Sequence, residues 1–149
     1  MKKNFKITIE YDGSNYHGWQ RQKNQMTIQE TIETALATML QSNVILKGSG
    51  RTDAGVHACG QTASFLCDTK ISAGAFQSGL NALLPDDIVI LACGEMQEEF
   101  HARYDVKSKV YRYRILNRHL PSALQRRFAW HIRKNLNRDA MVSALDHII

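Results

Sequence analysis

One carboxylate, Asp53, stands in the stretch GSGRTDAGVHACGQ (residues 48–61), two residues after Arg51 and four before His57. Gly48, Gly50, Gly55 and Gly60 share the stretch, so its backbone is free to take positive φ or to let another segment or a ligand approach closely. A guanidinium beside the acid favours its charged form and directs it through charge-assisted hydrogen bonds. An ionised, directed carboxylate serves as a nucleophile or a general base. The residues alone leave a second reading open, a structural Asp–Arg pair that tightens a turn, because short motifs also match by chance. His57 reads as a turn histidine bonded to the backbone and is left out of the chemistry.

Other chemistry-bearing residues cluster in two places. Tyr16, His17, Trp19, Gln20 and Arg21 form a polar, aromatic loop that is a candidate binding surface, with packing of Trp19 on the core as the rival. Residues 1–99 carry 8 Lys/Arg against 11 Asp/Glu, net −3, whereas residues 100–149 carry 11 against 3, net +8. In the basic part, Arg103, Lys107, Lys109, Arg112 and Arg114 alternate with Tyr104, Tyr111 and Tyr113. That pattern fits either a polyanion whose bases stack or a solvated basic face. Cys59, Cys67 and Cys93 are odd in number and lack CxxC spacing, which argues against a disulfide framework and a zinc site and for a reducing cytoplasm. No apolar run reaches the roughly 18 residues of a membrane span, and no signal peptide is legible.

The elements that position these residues follow from periodicity. FKITIEY (5–11) alternates as a half-buried strand, and residues 12–26 read as a long loop. Thr27 with Glu30 makes a capping box, followed by Ile28, Ile32, Ala35, Leu36, Met39 and Leu40 at helical spacing to about Ser42. VILKG (44–48) and GQTASFL (60–66) are strands, with the Asp53 turn between them. Ser72 caps a second helix bearing Phe76, Leu80, Leu83 and Leu84, stopped by Pro85, and IVILA (88–92) is a fourth strand. The order β-α-β-β-α-β is ferredoxin-like, an α/β (α+β) sheet with helices on one face. VYRYRIL (110–116) reads as an additional strand extending that sheet. The expected division is a catalytic domain over 1–118, a connection over 119–136 containing Pro121, and over 137–149 the truncated start of a second domain. The last helix carries Ala140, Met141, Ala144, Leu145 and Ile148 on one side and ends, uncapped, on Ile148–Ile149, as the front part of a longer protein would.

GRTDAGVHA followed by GQ resembles the signature of the tRNA pseudouridine synthase A family, which isomerises uridine in the anticodon stem-loop. YDGSNYHGWQRQ (11–22), NALLPDDI (81–88) and FHARYDVKSKVYRYRI (100–115) resemble further segments of that family, in order and over nearly the whole chain. The resemblance implies that Asp53 is the catalytic aspartate. It implies that Arg51 pairs with Asp53 and holds the target nucleotide out of the stack, and that Tyr111 packs against the target base. It makes RNA contact the expectation for the 16–21 loop, Arg103 and Lys109. Ala54, Val56 and Ala58 are expected to keep water from the acid, and Gln61 and Asn81 to lie near the pocket. The implied reaction needs no cofactor and no metal, and the implied partners are tRNA and, in the full-length protein, a second subunit of a homodimer. The rival from another class is a non-catalytic RNA-binding module, which would have no need of Arg51 and Asp53. An aspartic hydrolase would require a second acid in matching surroundings.

Overall fold

A computed structural model describes residues 2–148. The chain forms two compact units, Met1–Ser108 and Lys109–Ile149. In the first, β1 (Lys2–Tyr11), α1 (Ile28–Leu40), β2 (Lys47–Gly48), β3 (Ala58–Asp68), α2 (Ala73–Leu83) and β4 (Ile88–Met96) succeed one another. The sheet order is β2-β3-β1-β4 with every neighbouring pair antiparallel, the ferredoxin-like arrangement expected.

Alternation along β1 places Phe5, Ile7, Ile9 and Tyr11 on the buried face, opposite Phe65 and Ala63 of β3. Helices α1 and α2 lay Ile28, Ile32, Leu36, Phe76 and Leu80 into the same core. The rings of Phe5, Phe65 and Phe76 meet at 4.8–5.4 Å between centroids and anchor α2 to the central strands. Each helix start is capped by a side-chain oxygen: Thr27 accepts from Glu30 N, and Ser72 from Ala75 N. Glu30 turns its own carboxylate to Arg21, 3.1 Å away. On the opposite sheet face two buried polar residues hold the segment after β4. Asn4 Nδ2 donates to the carbonyls of Gln97, Glu98 and Phe100, and Ala102 N donates to Ser64 Oγ at 3.1 Å.

The strand expected over 44–48 is shorter than its sequence. Leu46 is buried, but its N–H donates to Glu33 Oε1 (2.9 Å) and its carbonyl accepts from Gln29 Nε2 (2.8 Å). Helix side chains thus take the backbone bonds that a ladder would have used, and pairing begins only at Lys47.

In the second unit, β5 (Ile115–Asn117) pairs in parallel with β6 (Trp130–Ile132), and α3 (Arg138–Leu145) starts at its cap Asn137. The strand expected over 110–116 is therefore corrected. Residues 110–114 have no regular structure, and β5 belongs to a separate two-stranded sheet instead of extending the first. The Tyr–Arg alternation offers no face to bury, since Tyr111 and Tyr113 remain 71% and 86% exposed. Met141, Leu145 and Ile148 are also exposed, and Ile149 lies outside the described residues.

Candidate active site

Asp53 opens a tight turn in the loop between β2 and β3. Val56 N donates to the Asp53 carbonyl at 3.2 Å, and Gly55 takes φ 78°, a left-handed value that favours glycine. Residues 11–19, which leave the end of β1 and run through a short 3-10 turn (Gly13–Asn15), grip this loop on both sides of the acid. Before it, Trp19 N donates to Thr52 O at 3.0 Å, and the hydroxyls of Tyr11 and Thr52 meet at 2.8 Å. After it, Gly55 N donates to Tyr16 O at 3.2 Å. His57 Nδ1 accepts from Gly13 N at 3.1 Å, which fastens the loop to the 3-10 turn; a proton on the same nitrogen would instead be donated to Asp12 Oδ1, 3.0 Å away.

This contact is backbone against backbone, and glycine makes it possible. A Cβ on Gly13 would run into the carbonyl oxygen of Val56, and one on Gly18, at φ 84°, into that of Thr52. Gly48 serves differently: the indole of Trp19 lies on it, leaving no room for a side chain. Gln61 reaches back to Gly50 O at 2.7 Å and steadies the arm that leads to Arg51.

Several expected roles change on this geometry. Asp53 and Arg51 are both exposed, and among the described residues no ion pair joins them. A solvated pair gains only about 0–1 kcal/mol and costs side-chain entropy, so proximity in sequence does not enforce it. The apolar enclosure is open in this chain: Ala54 and Val56 are exposed and Ala58 is half-buried. Tyr16 and Trp19, expected at an RNA surface, are 4% and 3% exposed and hold the Asp53 loop from within. Burial pushes the Tyr16 phenol well above its ordinary value, with the Asp87 carboxylate adding to the effect, and burial also raises Tyr11. Both phenols therefore stay neutral near pH 7 and act as hydrogen-bonding groups rather than bases. Asn81 is bound away from the loop, exchanging two hydrogen bonds with the backbone of Ile90.

His17, Gln20, Arg21 and Arg103 remain exposed, with Arg21 also paired to Glu30 and Glu33. Lys109 and Tyr111 belong to the second unit and are exposed there. Sequence reasoning assigned no role to Thr52, Tyr11 or Asp87. Asp87 sits in the quoted segment NALLPDDI, and that second acid was the available signal.

The tRNA pseudouridine synthase family matches residues 7–105, a span that holds the whole 11–19 segment and the whole Asp53 loop. The chain belongs to this tRNA pseudouridine synthase family. Among its relatives, tRNA pseudouridine synthase A of Ruminiclostridium cellulolyticum is 54% identical over 132 residues, 89% of this chain and 54% of that protein. The protein of the same name from Acetivibrio thermocellus is 47% identical over 147 residues, 99% of this chain and 60% of the relative. In Geotalea uraniireducens the corresponding figures are 50% over 144 residues, 97% and 59%. The chain thus spans somewhat over half the length of these synthases, and the family match ends before Lys109 and Tyr111.

Proposed function

We propose that this chain supplies the Asp53-centred part of the active site of a tRNA pseudouridine synthase, which isomerises uridine to pseudouridine in the anticodon stem-loop. The observation that carries this reading is an acid on an exposed turn, gripped on both sides by the backbone, in a chain of this family. A base stacked in an RNA arm cannot reach such a side chain. It must be extruded, at a cost of a few kcal/mol. Arg51, not committed to Asp53, holds the extruded nucleotide, and Tyr111 packs against the base. Asp53 assists rupture of the N1–C1′ bond; the uracil turns, C5 bonds to C1′, the C5 proton is lost, and N1 gains a proton. Atoms balance without a cofactor or metal.

Arg103, Lys107, Lys109, Arg112 and Arg114, with His17, Gln20 and Arg21, are assigned to the RNA backbone and its flanking bases. The reading extends to a second α/β domain opening near residue 137, a homodimer of the full-length protein that binds tRNA across both subunits, and a cytoplasmic location. No helix among the described residues is long and apolar enough to cross a membrane.

Tritium release from tRNA labelled at uridine C5 tests the assignment in the full-length protein. Asp53→Asn should reduce the single-turnover rate by at least about 10²–10⁴-fold, the range of a lost catalytic proton-transfer group. Equal release by the variant and its parent removes Asp53 from the chemistry.

A further inference from the structure

We propose that Asp87, acting through Tyr16, is a positioning residue for the turn that carries Asp53; this rests on the enzymatic reading above. Asp87 lies at the head of β4, where the next residue, Ile88, pairs with Tyr11 of β1. It holds both ends of the short 3-10 turn. Its carbonyl accepts from Asp12 N at 2.9 Å, and its Oδ1 accepts from the Tyr16 hydroxyl at 2.6 Å. The second distance is that of an O–H donor on a carboxylate, the stronger class of hydrogen bond. Tyr16 N closes the turn on Gly13 O at 3.0 Å.

Between Asp53 and Ala58, where β3 begins and pairs with Tyr11, the loop is held to the rest of the unit chiefly by this turn. Gly55 N donates to Tyr16 O, His57 Nδ1 accepts from Gly13 N, and Gly13 lies flush against Val56 O. The anchor that precedes Asp53, made at Thr52 by Trp19 and Tyr11, is separate from it. Asp53 and Ala54 therefore span two independent fixings, and only the second depends on the phenol–carboxylate bond. Release of that fixing leaves the acid attached but free to drift, and displacement by about 1 Å costs on the order of 10²-fold in rate.

Tyr16→Phe, Asp87→Ala, their combination and Asp87→Asn in the full-length protein separate positioning from bulk stability. Tyr16→Phe should lower kcat by about tenfold or more, while KM for tRNA stays within about twofold. The double variant should be no slower than Asp87→Ala, and Asp87→Asn should recover most of the rate because its amide oxygen still accepts the phenol. Amide hydrogen exchange supplies a readout independent of catalysis: Gly55 N–H should lose protection in Tyr16→Phe while Trp19 N–H keeps it. Unchanged Gly55 exchange, or additive losses accompanied only by a lower Tm, overturns the proposal. A parent protein that forms no pseudouridine, yet whose Gly55 exchange responds to Tyr16→Phe, overturns the enzymatic reading and leaves the mechanical link standing.

Discussion

Glycine is needed at position 18 for two reasons and at position 55 for one. Gly18 combines φ 84° with a Cβ direction blocked by the carbonyl oxygen of Thr52, whereas Gly55 has φ 78° and open space where a side chain would go. Gly55→Ala should therefore cost only the left-handed penalty, about 1–2 kcal/mol. Gly18→Ala must in addition push the 52–54 backbone away, and should cost more stability and more activity than its partner. Denaturant midpoints paired with rates check this, and equal losses at the two sites would show that the close approach is unimportant. Asp53, exposed beside this contact, is the group to which the proposed function assigns the chemistry, and an exposed carboxylate adds little stability.

Among the elements, α2 depends most on one residue. Phe76 is completely buried, with its ring against both Phe5 and Phe65. Phe76→Ala should destabilise the first unit by about 3–5 kcal/mol in chemical denaturation. A loss below about 1 kcal/mol would mean that the helix does not rest on this cluster. The first two helices were legible because their signals are local: Thr27 and Ser72 each cap the start they mark, and the apolar stripes follow at helical spacing. Strand limits were less legible because a partner sets them. β3 and β4 extend past their apolar runs to Asp68 and Met96 by pairing with β1, and β2 shrinks because Glu33 and Gln29 occupy the backbone of Leu46.

For the whole molecule, charge is segregated along the chain, net −3 over residues 1–99 and +8 over 100–149. Binding of tRNA should weaken steeply between about 50 and 200 mM salt, as counterion release requires. Arg112→Gln with Arg114→Gln should flatten the plot of log affinity against log salt by about 0.7–0.9 per phosphate contact removed. An unaltered slope would make these arginines a solvated face and nothing more.

The order of elements from β1 to β4, the caps of α1 and α2, the buried positions of β1 and the conspicuous acid are properties of neighbouring residues, and the sequence by itself determined them. Which segments hold the loop that carries this acid is not a local matter. Gly13 meets His57 across 44 positions, and Tyr16 meets Asp87 across 71. Only closure of the antiparallel sheet brings the ends of β1 and β4 beside the β2–β3 loop, and only then does burial turn Tyr16 and Trp19 inward while leaving Arg51 and Asp53 in solvent. Tertiary structure decided this because burial and long-range hydrogen bonding depend on what lies opposite in space, and no periodicity along the chain records it.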